Sequence, residues 1–213
     1  MSAAGPPQGA NRAPSGGSAA AKPQAWGDHT SAGLAPSAWI ARFAPLVPAG
    51  ANVLDVAAGR GRHARLFAAL GAQVLAVDRD AGALAELDGV IGVTTRVADL
   101  EGAPWPFAGE LFDAIVVANY LHRPLLPHLL DALTPDGLLL YETFAAGNEA
   151  FGRPSNPAFL LRENELLDWV RERLVIVAFE QGRVERPRAA VVQRIAAVGR
   201  ERRWPPPLPL TDA

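Results

Sequence analysis

Short apolar runs bounded by glycine or acid alternate along this chain with stretches of helical period. From Ser37, the side chains Trp39, Ile40, Phe43, Leu46 and Val47 share one helical face, which predicts a helix stopped by Pro48-Ala-Gly50. Residues 52–56 read as a buried strand, followed by a turn holding Gly59 and Gly61. A second helix then puts Leu66, Phe67 and Leu70 inward and ends at Gly71 as C-cap. The alternation continues with a strand over 73–77 ending in Asp78, a helix over 81–87 and a β-branched strand over 90–97. The strand over 111–118 is apolar throughout, as expected when both faces of a sheet are covered. Leu125, Leu126, Leu129, Leu130 and Leu133 form a helical stripe, Thr134-Pro-Asp-Gly137 a turn, and 138–144 a fifth strand. A helix over 162–173 puts Leu166, Leu167 and Val170 inward. Two closing strands over 174–180 and 189–198 are joined by a charged turn with Gly182 and Pro187.

This order predicts an α/β fold, a doubly wound sheet with helices on both faces. The chain has 213 residues, enough for one such domain. Residues 1–25 are Ala, Gly, Pro, Ser and Gln with hardly any large apolar side chain, so they are expected to be disordered. The domain is expected over 26–199, with a flexible Pro-rich tail over 200–213 containing Pro205-Pro-Pro-Leu-Pro209. Trp26-Gly-Asp-His-Thr30 is open to two readings, a packing anchor or a flap over the site.

Charge and composition narrow the function. The formal net charge is −2, which gives no pull towards nucleic acid or anionic membrane. No apolar run reaches the roughly 18 residues of a membrane span, and no apolar signal region opens the chain. Cytoplasmic residence is expected. Cysteine is absent, which excludes disulfides, thiolate metal sites and cysteine nucleophiles. His29, His63 and His128 lack the spacing and carboxylate partner of a metal site, so no metal is expected.

The glycine turn is the centre of the candidate chemistry. A helix start presents free N–H groups and partial positive charge, and glycine lets a ligand approach the backbone. Gly59-Arg-Gly61-Arg-His-Ala64 fits the dinucleotide pattern of NAD-binding proteins. The carboxylate of Asp55 ahead of it would repel a pyrophosphate but suits a ligand carrying an ammonium group. Asp78, ending the second strand with Arg79 after it, can accept the two hydroxyls of a ribose, which serves either ligand.

The acid at Asp55, then small residues and the spaced Gly59 and Gly61, resembles the first motif of class I S-adenosylmethionine (SAM)-dependent methyltransferases. Ala57 stands where that family usually has its first glycine, and it keeps the turn if its φ is negative. The resemblance implies a Rossmann-like seven-stranded sheet, mostly parallel with an antiparallel edge hairpin. It implies SAM as cofactor, held by Asp55, Ala57, Gly59, Gly61, Asp78, Arg79 and Asn119. It also implies adenine contacts from Asp99 and the backbone of Leu100, after the third strand.

Asn119-Tyr-Leu-His-Arg123 follows the fourth strand, where the family places groups near the reactive methyl. Tyr120 and His122 are the candidate catalytic residues, His122 either as a general base or as a structural histidine. No Asn/Asp-Pro-Pro-aromatic sequence of amide or adenine N-methylation is present, nor a basic aromatic strip that would track RNA. The loop from Tyr141-Glu-Thr-Phe144 through Gly152-Arg-Pro-Ser-Asn-Pro-Ala-Phe-Leu-Leu161 is expected to be shaped and to wall the acceptor pocket. With the glycine turn, it resembles the tellurite-resistance and thiopurine-methyltransferase-like branch. That branch implies a small-molecule acceptor, by analogy thiol, selenium or tellurium based.

Overall fold

The computed structural model describes Met1 and residues 35–208. Apart from Met1, the expected disordered segment lies outside the described residues, as do Trp26–Thr30 with His29, and 209–213 at the tail's end.

Seven strands form one sheet in the order β3-β2-β1-β4-β5-β7-β6. They are β1 (Asn52–Val56), β2 (Gln73–Asp78), β3 (Val93–Val97), β4 (Phe112–Ala118), β5 (Leu133–Phe144), β6 (Leu174–Val184) and β7 (Ala190–Gly199). The first five are parallel; β7 runs antiparallel between β5 and β6. The order reverses direction between β1 and β4, where the carboxyl ends of open α/β sheets form a crevice.

Period two then sorts each strand between two cores. Val53, Val74, Ala76, Val116 and Leu140 face α1 (Ala38–Phe43), α2 (Arg62–Ala69) and α3 (Ala81–Ala85). Leu54, Val56, Val117, Leu139 and Tyr141 face α4 (Leu126–Asp131) and α5 (Glu165–Val170). Both faces are thus apolar, which is why the strands read as continuous apolar runs.

The helices are shorter than their apolar stripes suggest. The first passes after Phe43 into a 3-10 turn, Ala44–Leu46, because Pro45 removes a backbone donor. The helix expected over 162–173 is confined to Glu165–Val170, and strand three to Val93–Val97. Leu133 opens β5 rather than closing the preceding helix. Leu70, expected inward, is 42% exposed. It sits at the C-cap of α2, where the chain has already left the helical spiral.

The β3–β4 connection carries no helix; Trp105 and Phe107 pack edge to face there. A groove of about 380 Å³ remains, lined by Asn52, Gln73, Leu75, Thr94, Leu111 and Phe112. Those residues lie at the amino ends of the strands, opposite the glycine turn. The groove is therefore remote from that turn.

The first residues of the expected tail are held on the body. Arg202 donates through Nη1 to the Asp136 carbonyl at 3.2 Å and through Nη2 to the Leu46 carbonyl at 2.5 Å.

Candidate nucleotide and acceptor site

The turn after β1 is tight. Ala57, Gly59 and Gly61 all lie in the left-handed region, with φ of 53°, 54° and 72°. The condition of a negative φ at Ala57 is therefore not met. Ala57 carries the backbone strain that glycine would relieve, on the order of 1–2 kcal/mol. Gly61 cannot be exchanged freely, since an added Cβ would stand 2.4 Å from the Leu87 side chain. Above Gly59 an added Cβ would meet nothing within 4 Å, so the space over the turn is open.

Asp78 ties this turn to the end of β2. Its Oδ2 accepts the Gly59 amide at 2.8 Å and its Oδ1 the Asp80 amide at 2.9 Å. The carboxylate thus shapes the crevice as well as facing it. Asp55 is buried beneath the start of α2, and its Oδ2 has no hydrogen-bond partner among the described residues. Burial pushes its carboxyl up to about 7, against the lowering effect of the Ala64 amide and the Arg62 guanidinium. Arg62 lies between Asp55 and Glu142, and its Nη1 donates to the Ala35 carbonyl at 3.4 Å.

The Asp55 shift has a definite sign. A carboxyl that is harder to ionise in the folded state weakens the fold as it ionises. In the ligand-free protein the Asp55 contribution to stability should be lost as pH rises from 3.8 to about 7. At about 1.4 kcal/mol per unit, the loss is on the order of 4 kcal/mol. Asp55→Asn is expected to restore stability at pH 8 and to change it little at pH 4, in denaturant melts of the free protein. Parallel pH profiles for the two proteins would refute this.

A second group forms over the ends of β3 and β4. Asp99 is exposed and its Oδ1 accepts the amides of Glu101 and Gly102 at 3.0 and 3.2 Å. Those bonds, with the nearby charges of Arg79 and His122, hold its carboxyl below the usual range. The side chain therefore closes a turn. Leu100 is buried in the α4/α5 core, so its backbone is fixed.

Asn119 is exposed at the end of β4, with φ of 56° and its amide donating to the Glu142 carbonyl at 2.9 Å. A non-glycine residue held left-handed here marks a backbone fixed by its surroundings. Tyr120 is half-buried and its hydroxyl has no aligned partner. Burial, followed by the Glu101 carboxylate, pushes its phenol up, so it stays protonated. Its carbonyl accepts the Tyr141 hydroxyl at 2.9 Å. His122 is half-buried and stands before the 3-10 turn Arg123–Leu125. Asp55, Ala57, Gly59, Gly61 and Asp78 thus meet at one turn, while Asp99, Arg79 and His122 meet beyond it.

His63 has a structural task. It is buried, and its Nε2 accepts the Ser37 amide at 3.1 Å, linking α2 to the start of α1. Burial, and then the Arg62 charge, lower it to about 3, so it stays neutral. Among the described residues no group of three His, Cys, Asp or Glu could hold a metal ion.

The loop after β5 is shaped by residues whose pattern gave no sign of the role. Arg123 donates to Glu165 through Nε at 2.6 Å and Nη2 at 2.9 Å. It also donates to the carbonyls of Ala158 and Leu160, both at 2.8 Å. Burial alone would raise the Glu165 carboxyl, but Arg123 and the Arg162 amide bring it below the usual range. Asn148 bridges the loop internally, donating to the Pro154 carbonyl at 2.9 Å and accepting the Val191 amide at 3.1 Å. Arg123 and Glu165 are 42 residues apart, so no local pattern could join them.

The fold agrees with what is known of other proteins. Residues 53–137 match the family model described as a methyltransferase domain. With the sheet order, this gives the chain a methyltransferase-domain match set in the Rossmann-like fold of the SAM-dependent methyltransferases it is similar to. Its fold is similar to that of TehB from Haemophilus influenzae, at 18% identity and a TM-score of 0.65, over 81% of this chain and 64% of that one. The chain thus spans just under two thirds of that protein. A TehB-like SAM-dependent methyltransferase from Corynebacterium glutamicum is similar at 21% identity and a TM-score of 0.53, over 73% of this chain and 86% of that one. The N-methyltransferase NodS from Bradyrhizobium japonicum, in complex with S-adenosylhomocysteine (SAH), is similar at 16% identity and a TM-score of 0.56, over 76% and 83%. A comparison with curated proteins finds no sequence match.

Proposed function

We propose that this protein binds SAM in the crevice over the glycine turn and transfers its methyl group to a small-molecule acceptor. The observation that carries the reading is Asp55, a buried carboxylate with an orphaned oxygen under an open glycine turn. Such an oxygen calls for a donor, and an ammonium group, directly or through a water it orders, supplies one. The same residues do not suit a pyrophosphate, which would add negative charge beside Asp55 and Asp78. NodS, similar in fold, is described with SAH bound, which supports the same ligand class here.

Asp55, Ala57, Gly59 and Gly61 would hold the methionine end, Asp78 and Arg79 the ribose, and Asp99 with the Leu100 backbone the adenine. Asn119 would close the crevice at β4. When bound, SAM supplies an electrophilic methyl group on a sulfonium centre. Tyr120 and His122 would face the acceptor, Tyr120 as a hydrogen-bond donor because its phenol stays protonated. Alignment of acceptor and methyl can contribute roughly 7–11 kcal/mol, so positioning carries most of the reaction. The loop pinned by Arg123 and Asn148 would wall the acceptor pocket.

We place the working domain at residues 26–199 and the protein in the cytoplasm, with no nucleic-acid partner. Among the described residues, no helix is long and apolar enough to cross a membrane. Calorimetric titration with SAM, SAH and NADH tests the reading. SAM and SAH are expected to bind at one site per chain and NADH not at all. Binding of NADH in place of SAM would overturn it.

A further inference from the structure

The sheet register places five side chains in one row on the face covered by α1 and α2, with the turn at Ala57 between the first two. Asp78 ends β2 in pairing with Val97 of β3. Val56 pairs with both Val77 and Val117, so Asp78 and Ala118 are the next positions on the flanking strands, and the chain leaves β1 between them at Ala57. Ala118 pairs with Glu142, Glu142 with Arg194, and Arg194 with Glu180. The row therefore runs Asp78, Ala118, Glu142, Arg194, Glu180 across β2, β4, β5, β7 and β6, passing the end of β1 between the first two. With strands about 4.8 Å apart, Glu142 lies roughly 14 Å from Asp78 along it.

The far half of this row is charged, from enclosed Glu142 to exposed Glu180. The Glu142 side chain is 9% exposed, and its Oε2 lies 2.6 Å from Arg194 Nε. That contact is an ion pair without hydrogen-bond alignment, since neither atom has an aligned partner. Arg194 is shared with Glu180 through Nη1 at 3.4 Å, and Glu180 with Arg42 at 3.8 Å. Arg62 is likewise shared, between Glu142 and Asp55. Arg194 and Arg62 are each divided between two carboxylates, and both approach Glu142. A carboxylate oxygen buried without an aligned donor is destabilising unless a ligand supplies the donor.

Its place in the row says which ligand. With the adenine at β3, the ribose at β2 and the methionine end at β1, the reactive methyl faces onward, to β4 and β5. Ala118 presents only a methyl group there. Glu142 is the first polar side chain beyond it on that face.

We propose that Glu142, positioned by Arg194, receives the acceptor's nucleophile, and that this nucleophile is an amine nitrogen. The inference rests on the SAM-binding reading above. In the transfer, the bound ammonium first gives one proton to water, and the freed nitrogen lone pair forms the N–C bond to the methyl carbon. The C–S bond breaks with its electron pair on sulfur. Positive charge thereby moves from sulfur to nitrogen, towards Glu142, and the N–H proton leaves to water through that carboxylate. A fixed negative charge where positive charge develops favours the transition state. The sign is wrong for an anionic thiolate, selenide or telluride, which the same carboxylate would repel. A carboxylate is also too weak a base to ionise an alcohol before attack.

The test uses the full chain saturated with SAH and titrated with propylamine and benzylamine against propanethiol and benzyl mercaptan. Each amine is expected to bind more tightly than its thiol counterpart. Glu142→Gln should weaken the amines by about tenfold or more, the loss of one charged hydrogen bond, and leave the thiols and SAH unchanged. Glu142→Asp should recover part of the amine affinity. If Glu142→Gln fails to fold, Glu142→Gln with Arg194→Gln removes both charges and should give the same loss. Amines that bind no better than thiols, or that bind the variants as tightly, overturn the proposal. Failure of SAH to bind the wild-type chain would instead overturn the SAM reading.

Discussion

Arg123→Ala is expected to destabilise the protein by about 3–5 kcal/mol, the usual loss when one partner of a buried ion pair is removed. Glu165 is 3% exposed at its side chain, while the second cation on it, Arg162, is 80% exposed and reaches its side-chain oxygens only at 3.5 Å. Removing Arg123 leaves a buried carboxylate with the Arg162 amide as its main donor. The carbonyls of Ala158 and Leu160 lose their donor as well. Urea melts at pH 7 give the magnitude. Limited proteolysis should show new cleavage over 146–160 under native conditions. A melt within 1 kcal/mol of wild type, a loss typical of exposed pairs, would show the pair to be only a surface contact. Since folding holds the Glu165 carboxyl below its usual range, its contribution is present above the unfolded value and fades as pH falls. The wild-type and Arg123→Ala melts should therefore converge in acid.

Asp78→Ala should weaken SAM binding by more than tenfold, the equivalent of at least about 1.4 kcal/mol. Two effects add. The ribose loses a charged acceptor, and such hydrogen bonds contribute about 1.5–3 kcal/mol. The Gly59 amide also loses its partner at 2.8 Å, so the turn that shapes the crevice loosens. Asp78→Asn keeps an acceptor for Gly59 but not for the Asp80 amide, so it should lose less stability than Asp78→Ala while still weakening SAM, which separates the two. Titration calorimetry and thermal melts of both variants resolve the parts. Unchanged SAM affinity in Asp78→Ala would remove Asp78 from the ribose role.

The contrast between Asp78 and Glu142 shows what kind of signal a site residue leaves in a sequence. Asp78 ends a short apolar run close behind the glycine turn, so its position at the carboxyl edge of a strand is readable locally. Glu142 also lies in a strand readable by pattern, but its partners Arg194 and Glu180 are on strands brought beside it by a reversed order. Nothing within a window around Glu142 marks it as charged and enclosed. Arg62 is similar. It lies in the quoted motif, yet only its approach to Asp55 and Glu142 gives it a task.

The local conformations divide in the same way. Ser37 as N-cap, Pro48-Ala-Gly50 as a stop and β1 over Asn52–Val56 follow from side-chain chemistry within a few residues. The left-handed backbone of Ala57 does not, because alanine does not by itself prefer it, and at Asn119 the residue type permits that conformation without requiring it.

The sequence alone determined the alternation of strands and helices, the apolar character of both sheet faces and the acids at the ends of β1, β2 and β3. These depend on periodicity and on neighbours in the chain. The tertiary structure decided which strands lie side by side, and with that the row from Asp78 to Glu180, the Arg123–Glu165 clamp and the unpaired oxygen of Asp55. Those features arise from contacts between distant segments, whose energies depend on burial and alignment that no local pattern encodes.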